Sequence, residues 1–316
     1  MSALSRRRLL QGVGAAGLVA GCTGPTPIAH TASTVDPRGH RQAGIARPAV
    51  AQSHCDLSVW DLPGGPPDLA PRIAELAAAG GRLTATVGLG PRLADVGELP
   101  AFTGDQLDHA GGDLMLQVCG DDRFAVSTAV AELGRAIGGM LKWRQSAFRG
   151  PSTVDGSSRN VLGFADGIVV PHGEIELDRE VWRPDGSTIA VVRRMRLDLD
   201  GFAALSTEQQ ERVFGRRKDT AEPLSGGVEV DLGAKTSDGE YLIPADAHVR
   251  RANPLSAGTG LMLRRSYNHD EGLLFISFQR DLATFVKTMH RMVDGDALLR
   301  YATTTASASF LVPPGR

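Results

Sequence analysis

The stretch that decides the fold is "GDLMLQVCGDDRFAVSTAVAELGRAIGGMLKWRQSAF", residues 112–148. Its first part alternates, with Leu114, Leu116 and Val118 on one face, which is the period of an extended strand. Residues 121–139 read as an amphipathic helix with acidic residues at its start, where the helix dipole favours them. Met140–Phe148 reads as a second strand. Strand, helix and strand follow one another with almost no connecting loop.

Working outward, residues 49–62 read as a strand, residues 67–80 as a helix ending at Gly80-Gly81, and residues 82–90 as a strand rich in β-branched residues. The order is β-α-β-β-α-β. It recurs downstream. Residues 187–200 predict a strand, and "STEQQERVFG" (206–215) a helix opened by a capping box. Residues 259–267 and 272–280 predict two strands joined by a short turn, 281–293 a helix, and 306–313 a last strand. The expected class is α+β, a duplicated ferredoxin-like fold with antiparallel sheets. Its first half spans 48–150 and its second 187–316. The link 151–186 and a loop at 216–258 are long, and long loops on a rigid scaffold commonly carry function.

The N-terminus reads differently. Residues 1–22 contain Arg6-Arg7, Leu9-Leu10 and a short apolar run, the pattern of a twin-arginine export signal, and "LVAGC" (18–22) resembles a lipobox ending at Cys22. Residues 23–47 read as a tether and poorly ordered arm. The expected location is extracytoplasmic, by the twin-arginine route, with a membrane anchor on Cys22. Twin-arginine export carries folded proteins, which suits a chain that takes up a cofactor before leaving the cytoplasm.

Composition is that of a soluble globular protein, 42% hydrophobic and 22% charged over 316 residues. The formal net charge of −2 and the lack of a basic stripe argue against a nucleic-acid partner. Cys55 and Cys119 either pair in an oxidising compartment or stay as buried thiols. No C-x-x-C or H-E-x-x-H is present, and no two of the eight histidines are spaced i, i+4. A single histidine can still ligate one face of a haem iron. His248, in "ADAHVRRANP" (245–254), is such a candidate, placed between a loop and a strand with basic neighbours that suit haem carboxylates.

The link contains "SRNVLGFADGIVVP" (158–171), where Asp166 sits on a glycine turn between apolar flanks. A turn aspartate is the plain reading; a carboxylate placed for proton transfer is the functional one. "MLRRSYNH" (262–269) puts Arg264 and Arg265 on opposite faces of a strand, so one must point inward and needs an anionic partner.

Taken in order, "RNVLGFADG" (159–167), "HVRRANP" (248–254) and "LMLRRSYN" (261–268) resemble the dye-decolorising peroxidases, a haem peroxidase family with the signature G-x-x-D-G. Collinear agreement at 39–49, 83–90, 111–122, 191–202, 214–220, 272–281 and 295–315 extends the resemblance over nearly the whole chain after the signal. It implies haem b as cofactor, hydrogen peroxide as oxidant, and dyes or phenolic compounds as reductants. By position it makes Asp166 and Arg264 the catalytic pair and His248 the iron ligand. It places Gly167, Ile168, Val169, Asn253, Pro254 and Leu255 against haem, with Arg250 and Arg216 as candidates for its carboxylates. Three aspartates, Asp246, Asp294 and Asp296, are candidates to support His248. The chain departs from the family after the signature, where "IVVP" replaces a small polar residue followed by Asn. A homo-oligomer is expected. The runner-up function is a haem-handling lipoprotein of iron uptake resembling the deferrochelatase branch. A haem-free structural protein is a third reading.

Overall fold

In a computed structural model, residues 35–78, 82–150 and 157–315 are described. The export signal, the lipobox and the first part of the expected tether lie outside them, as do the Gly80-Gly81 helix end and the start of the link.

The first half contains β1 (His54–Asp61), α1 (Ala70–Ala78), β2 (Thr84–Leu89), a two-residue β3 (His109–Ala110), β4 (Leu114–Gly120), α2 (Arg123–Ile137) and β5 (Met140–Phe148). The link holds β6 (Ser158–Arg159), β7 (Ala165–Asp166) and α3 (Gly173–Glu180). The second half runs β8 (Thr188–Leu197), α4 (Leu199–Ala203), α5 (Thr207–Phe214), α6 (His248–Arg251) and α7 (Pro254–Ala257). It continues through β9 (Leu263–Arg264), β10 (Tyr267–His269), β11 (Gly272–Gln279), α8 (Leu282–Val293), a 3-10 turn (Ala297–Tyr301) and β12 (Ala302–Val312).

Strand order is β5-β1-β4-β2 in the first half and β12-β8-β11-β9 in the second, the same 4-1-3-2 arrangement twice. One register pair, Leu311↔Leu89, joins β12 to β2, and another, Asn268↔Phe148, joins β10 to β5. Because β10 also pairs with β11, the ladder closes on itself.

Period-2 alternation explains the layers. On β4, Leu114, Leu116 and Val118 pack with Val126, Val130 and Leu133 of α2. Met115 and Cys119 face the other way, into a core shared by both sheets with Leu57, Val59, Val192, Ile276 and Phe310. The helix α2 begins at the Asp122 cap, which accepts from Phe124 and Ala125 N–H, and ends at Gly138 in the left-handed conformation. The α5 capping box is present, with Ser206 and Gln209 bonded reciprocally.

Three expectations need correction. Residues 39–47 are not a loose arm: Ala43 and Ile45 are buried, and the Gln42 side chain bonds Val87 and Pro313 backbone groups. Ala43 and Ile45, two positions apart, give these residues an apolar face to bury. Residues 259–267 are not one strand, since pairing breaks at Arg265-Ser266 between β9 and β10. That break lets the chain cross from β11 to the seam with β5. His248 opens a short helix and does not lie between a loop and a strand.

Candidate functional site

On β8, Val191 packs against Met262, Phe285 and Met289, while Ala190 and Val192 go to the shared core. The same face continues through Arg193, Met195 and Leu197 into a cavity of about 220 Å³. The cavity lies between this outer face of the second sheet and a wall made by α8, the link and the 214–262 region. Leu273 and Phe275 of β11, Thr288, Met289 and Met292 of α8, and Thr103–Asp105 of the first half also line it.

Asp166 reaches the cavity on a tight hairpin. Ser158 pairs with Asp166 and Arg159 with Ala165. The Asn160 carboxamide oxygen accepts from Leu162 and Phe164 N–H, both at 3.1 Å. Gly163 and Gly167 have φ of +89° and +85°, the left-handed region that glycine tolerates. A Cβ at Gly163 would come 2.7 Å from Lys218 Cε. One at Gly167 would meet no protein atom within 4 Å; that position lines the cavity, and glycine leaves the space to an occupant. Asn268 fixes the hairpin from outside: its side chain accepts from Val161 N–H at 2.9 Å and donates to Arg159 O at 3.1 Å. Phe164 is buried and stacks on Phe214 with ring centroids 3.8 Å apart.

The Asp166 Oδ1 accepts from Gly167 N–H at 2.7 Å and lies 3.6 Å from Arg264 Nε. Its Oδ2 carries no hydrogen bond among the described residues. Arg264 is steadied by a 3.1 Å bond to Val169 O. Both side chains are 27% exposed, open to the cavity.

His248 lines the same cavity from α6. Its Nδ1 is 2.7 Å from Asp296 Oδ2, and the Asp296 side chain is fully buried. Asp296 caps the 3-10 turn through Leu298 N–H at 2.9 Å. Of the three candidate carboxylates, geometry selects Asp296; Asp246 pairs instead with Arg300 at 3.8 Å, and Asp294 ends α8. Burial disfavours the charged imidazole, but Asp296 outweighs it and raises the His248 pKa above its ordinary value.

Arg216 also lines the cavity. It donates to the carbonyl of Ala221, a residue with φ +64°, and has no ion-pair partner among the described residues. Burial, and then the nearby Arg264 charge, lower its pKa. Ile168, Val169, Asn253 and Pro254 line the cavity as expected. Two expected contacts do not reach it. Leu255 is 90% exposed, because Asn253 caps α7 and the first turn carries Leu255 outward. Arg250 turns away, donating to Leu232, Ile243 and Pro244 carbonyls and lying over the Tyr241 ring at 4.5 Å.

Sequence reasoning missed several cavity residues. Arg193 and Asp105 form a buried ion pair at one end of the cavity. Met195, Met262, Met289 and Met292 supply much of the apolar wall. Alternation along β8 was the available signal for Arg193 and Met195.

A single imidazole held by a buried carboxylate thus shares one largely apolar cavity with a carboxylate–guanidinium pair. The Dyp-type peroxidase, C-terminal family matches residues 157–316. A dye-decolorizing peroxidase of Thermobifida fusca is 36% identical over 293 residues, covering 77% of this chain and 68% of that protein. A deferrochelatase of Escherichia coli is 28% identical over 400 residues, covering 98% and 94%. The structure of ferric DtpA from Streptomyces lividans superposes with a TM-score of 0.81 at 29% identity, covering 90% and 94%. This chain belongs to the Dyp-type peroxidase family, and it is a haem peroxidase.

The residues present fit haem. Asp296 occupies Nδ1 of His248 and leaves Nε2 for the iron. The Gly167 edge is open, the walls are apolar, and Arg216 offers an unpaired charge to a haem carboxylate.

Proposed function

We propose that the chain binds haem b and uses hydrogen peroxide to oxidise dye-like or phenolic reductants in one-electron steps. The single observation that carries this is Asp166 beside Arg264 in the cavity that His248 enters. Haem, when bound, supplies the redox-active iron at which the peroxide O–O bond is broken and the reductant oxidised. One peroxide and two reductant hydrogen atoms give two waters and two reductant radicals.

Asp166, through its unpaired Oδ2, would take one proton from the peroxide and return it to the departing oxygen. Its backbone bond and the Arg264 contact hold Oδ1 and leave Oδ2 for the proton. The Arg264 guanidinium offsets negative charge on the departing oxygen. Asp296 orients His248 and makes its Nε2 a stronger donor. Ile168 and Val169 limit water around Asp166.

The coverage of the Escherichia coli deferrochelatase, nearly complete in both directions, favours a second reading as a haem-handling protein that releases iron. Absorption spectra of the haem-loaded protein, before and after one equivalent of peroxide, separate the two. A Soret band that changes with peroxide and returns with a dye reductant supports turnover. An unresponsive band, with iron-free porphyrin accumulating, supports iron release.

The twin-arginine pattern at Arg6-Arg7 and the Leu18–Cys22 lipobox support export and a lipid anchor, both tested by labelling Cys22 with a fatty-acid analogue. Exposed Phe124, Met140 and Ile175 are surface features that a homo-oligomer would cover.

A further inference from the structure

Cys55 of β1 and Cys119 of β4 are register partners in the antiparallel ladder. Directly opposed residues point to one face with Cβ atoms about 4.5–5.5 Å apart. A disulfide requires about 3.5–4.5 Å, so a small local adjustment suffices. Both cysteines are free thiols, 1% and 2% exposed, in the core shared by the two sheets. Neither lines the haem cavity.

Their surroundings are not those of inert core thiols. Tyr267 and Cys119 are buried in the same core cluster, where the phenol acts on the thiol. Arg265 is 6% exposed and acts on Cys119 through its charge. The expected anionic partner of the buried arginine is not a carboxylate: among the described residues Arg265 makes no ion pair, and its guanidinium donates to Pro48 O at 2.7 Å. Burial lowers its pKa to about 10. Gln117, on the same face of β4, keeps a buried Oε1 with no hydrogen-bond partner among the described residues.

We propose that Cys55 and Cys119 are a peroxide-oxidisable pair that closes to a cross-strand disulfide, a modification site in the shared core. The two thiols differ as an attacking and a resolving cysteine should. Burial opposes ionisation of both. At Cys119 the contacts with Cys55 and Tyr267 and the Arg265 charge outweigh it and lower the pKa, while Cys55 is held well above its ordinary value. The Cys119 thiolate attacks one peroxide oxygen. An S–O bond forms as O–O breaks, and the departing hydroxide takes the thiol proton to become water. Cys55 sulfur then attacks the Cys119 sulfenic acid. S–S forms, S–O breaks, and the hydroxyl leaves with the Cys55 proton as a second water. Two thiols are oxidised by two electrons and one peroxide is reduced to two waters.

The test uses the haem-loaded full chain. It is treated with stoichiometric hydrogen peroxide, unfolded in N-ethylmaleimide, digested and mapped by mass spectrometry. The Cys55 and Cys119 peptides should lose alkylation together and appear as one linked species that dithiothreitol reverses. Full alkylation of both after peroxide would overturn the proposal. So would a disulfide to Cys22, or Cys119 driven to sulfinate while Cys55 still alkylates. Cys55→Ser should stop at a Cys119 sulfenic acid trapped by dimedone; if it does not fold, the wild-type map decides alone. Tyr267→Phe should slow Cys119 oxidation several-fold with the Soret band unchanged, and an unaltered rate would remove the phenol from the site.

Discussion

The His248 imidazole and the Asp296 carboxylate meet at 2.7 Å, the first at the start of a helix and the second at the cap of a 3-10 turn 48 residues later. Asp296→Ala removes the group that sets the imidazole's tautomer and orientation. Haem affinity should fall by about 10–100-fold, the usual loss for such outer partners. Titration of haem into the apoprotein, followed at the Soret band, measures it. Unchanged affinity would mean that Asp296 serves only to cap its turn.

Asp166→Asn keeps the size of the side chain and its Gly167 contact but cannot accept a proton. Reaction with peroxide should slow by about 10²–10⁴-fold while haem content stays constant. Arg264→Leu should cost about 10²–10³-fold through lost charge stabilisation. Rapid-mixing spectroscopy reads both. An Asp166→Asn rate equal to wild type would leave Arg264 to carry the step alone.

Asn268 is not among the residues that line the cavity, yet it holds the first strand and the turn of the hairpin that presents Asp166. Asn268→Leu leaves Val161 N–H and Arg159 O without this partner, at less than the roughly 1–3 kcal/mol of a fully buried group, because both are only partly buried. Tm should fall, and the peroxide reaction should slow with the Soret band intact. Lost stability with an unaltered peroxide rate would confine Asn268 to stability.

His269 gives the fold a dependence on acid. Its Nδ1 accepts from Glu271 N–H at 3.2 Å, and Nε2 lies 3.1 Å from Met195 O, so the neutral ring protonated on Nε2 satisfies both. Burial lowers its pKa in the folded chain. As pH falls through the unfolded value of about 6.5, the unfolded chain takes up a proton that the folded one refuses, so stability drops. Urea unfolding at about pH 7 and about pH 5 should show this loss, and His269→Gln should show less of it. Equal losses in both would assign the acid sensitivity to other groups.

Much of this was legible in the residues. Alternation at 112–120 and the helical spacing that follows placed β4, α2 and β5 to within two residues, because each element buries one face against a regular neighbour, whereas β1 begins five residues later than expected and β3 was not foreseen. Asp166, His248 and Arg264 were singled out by the resemblance of three short stretches to a family, and the structure brings all three to one cavity; the residues alone left Asp166 as a turn aspartate and His248 as a loop histidine. Asp296 could not be separated from Asp246 and Asp294, since the choice depends on how α8 ends and where the 3-10 turn begins. The outward turn of Arg250 was hidden for a similar reason: its guanidinium is claimed by carbonyls at 232, 243 and 244, an irregular loop without periodicity. The Arg265-Ser266 break answers to the seam between sheets, a tertiary demand that local pattern does not record.

The ion pair between Arg193 and Asp105 has a consequence for how such a molecule changes over time. Asp166, Arg264 and His248 sit wholly in the second half and the link, whereas residues 103–105 come from a loop of the first half, held to the second by that pair and by Gln106 and Asp108 N–H bonds to Thr304 and Thr305 carbonyls. Insertions or exchanges between β2 and β3 can reshape what the cavity admits without moving Asp166, Arg264 or His248. The duplicated architecture thus leaves two rates of drift open to one molecule: one for the half that carries Asp166, Arg264 and His248, another for the loop of the first half that closes part of the same wall.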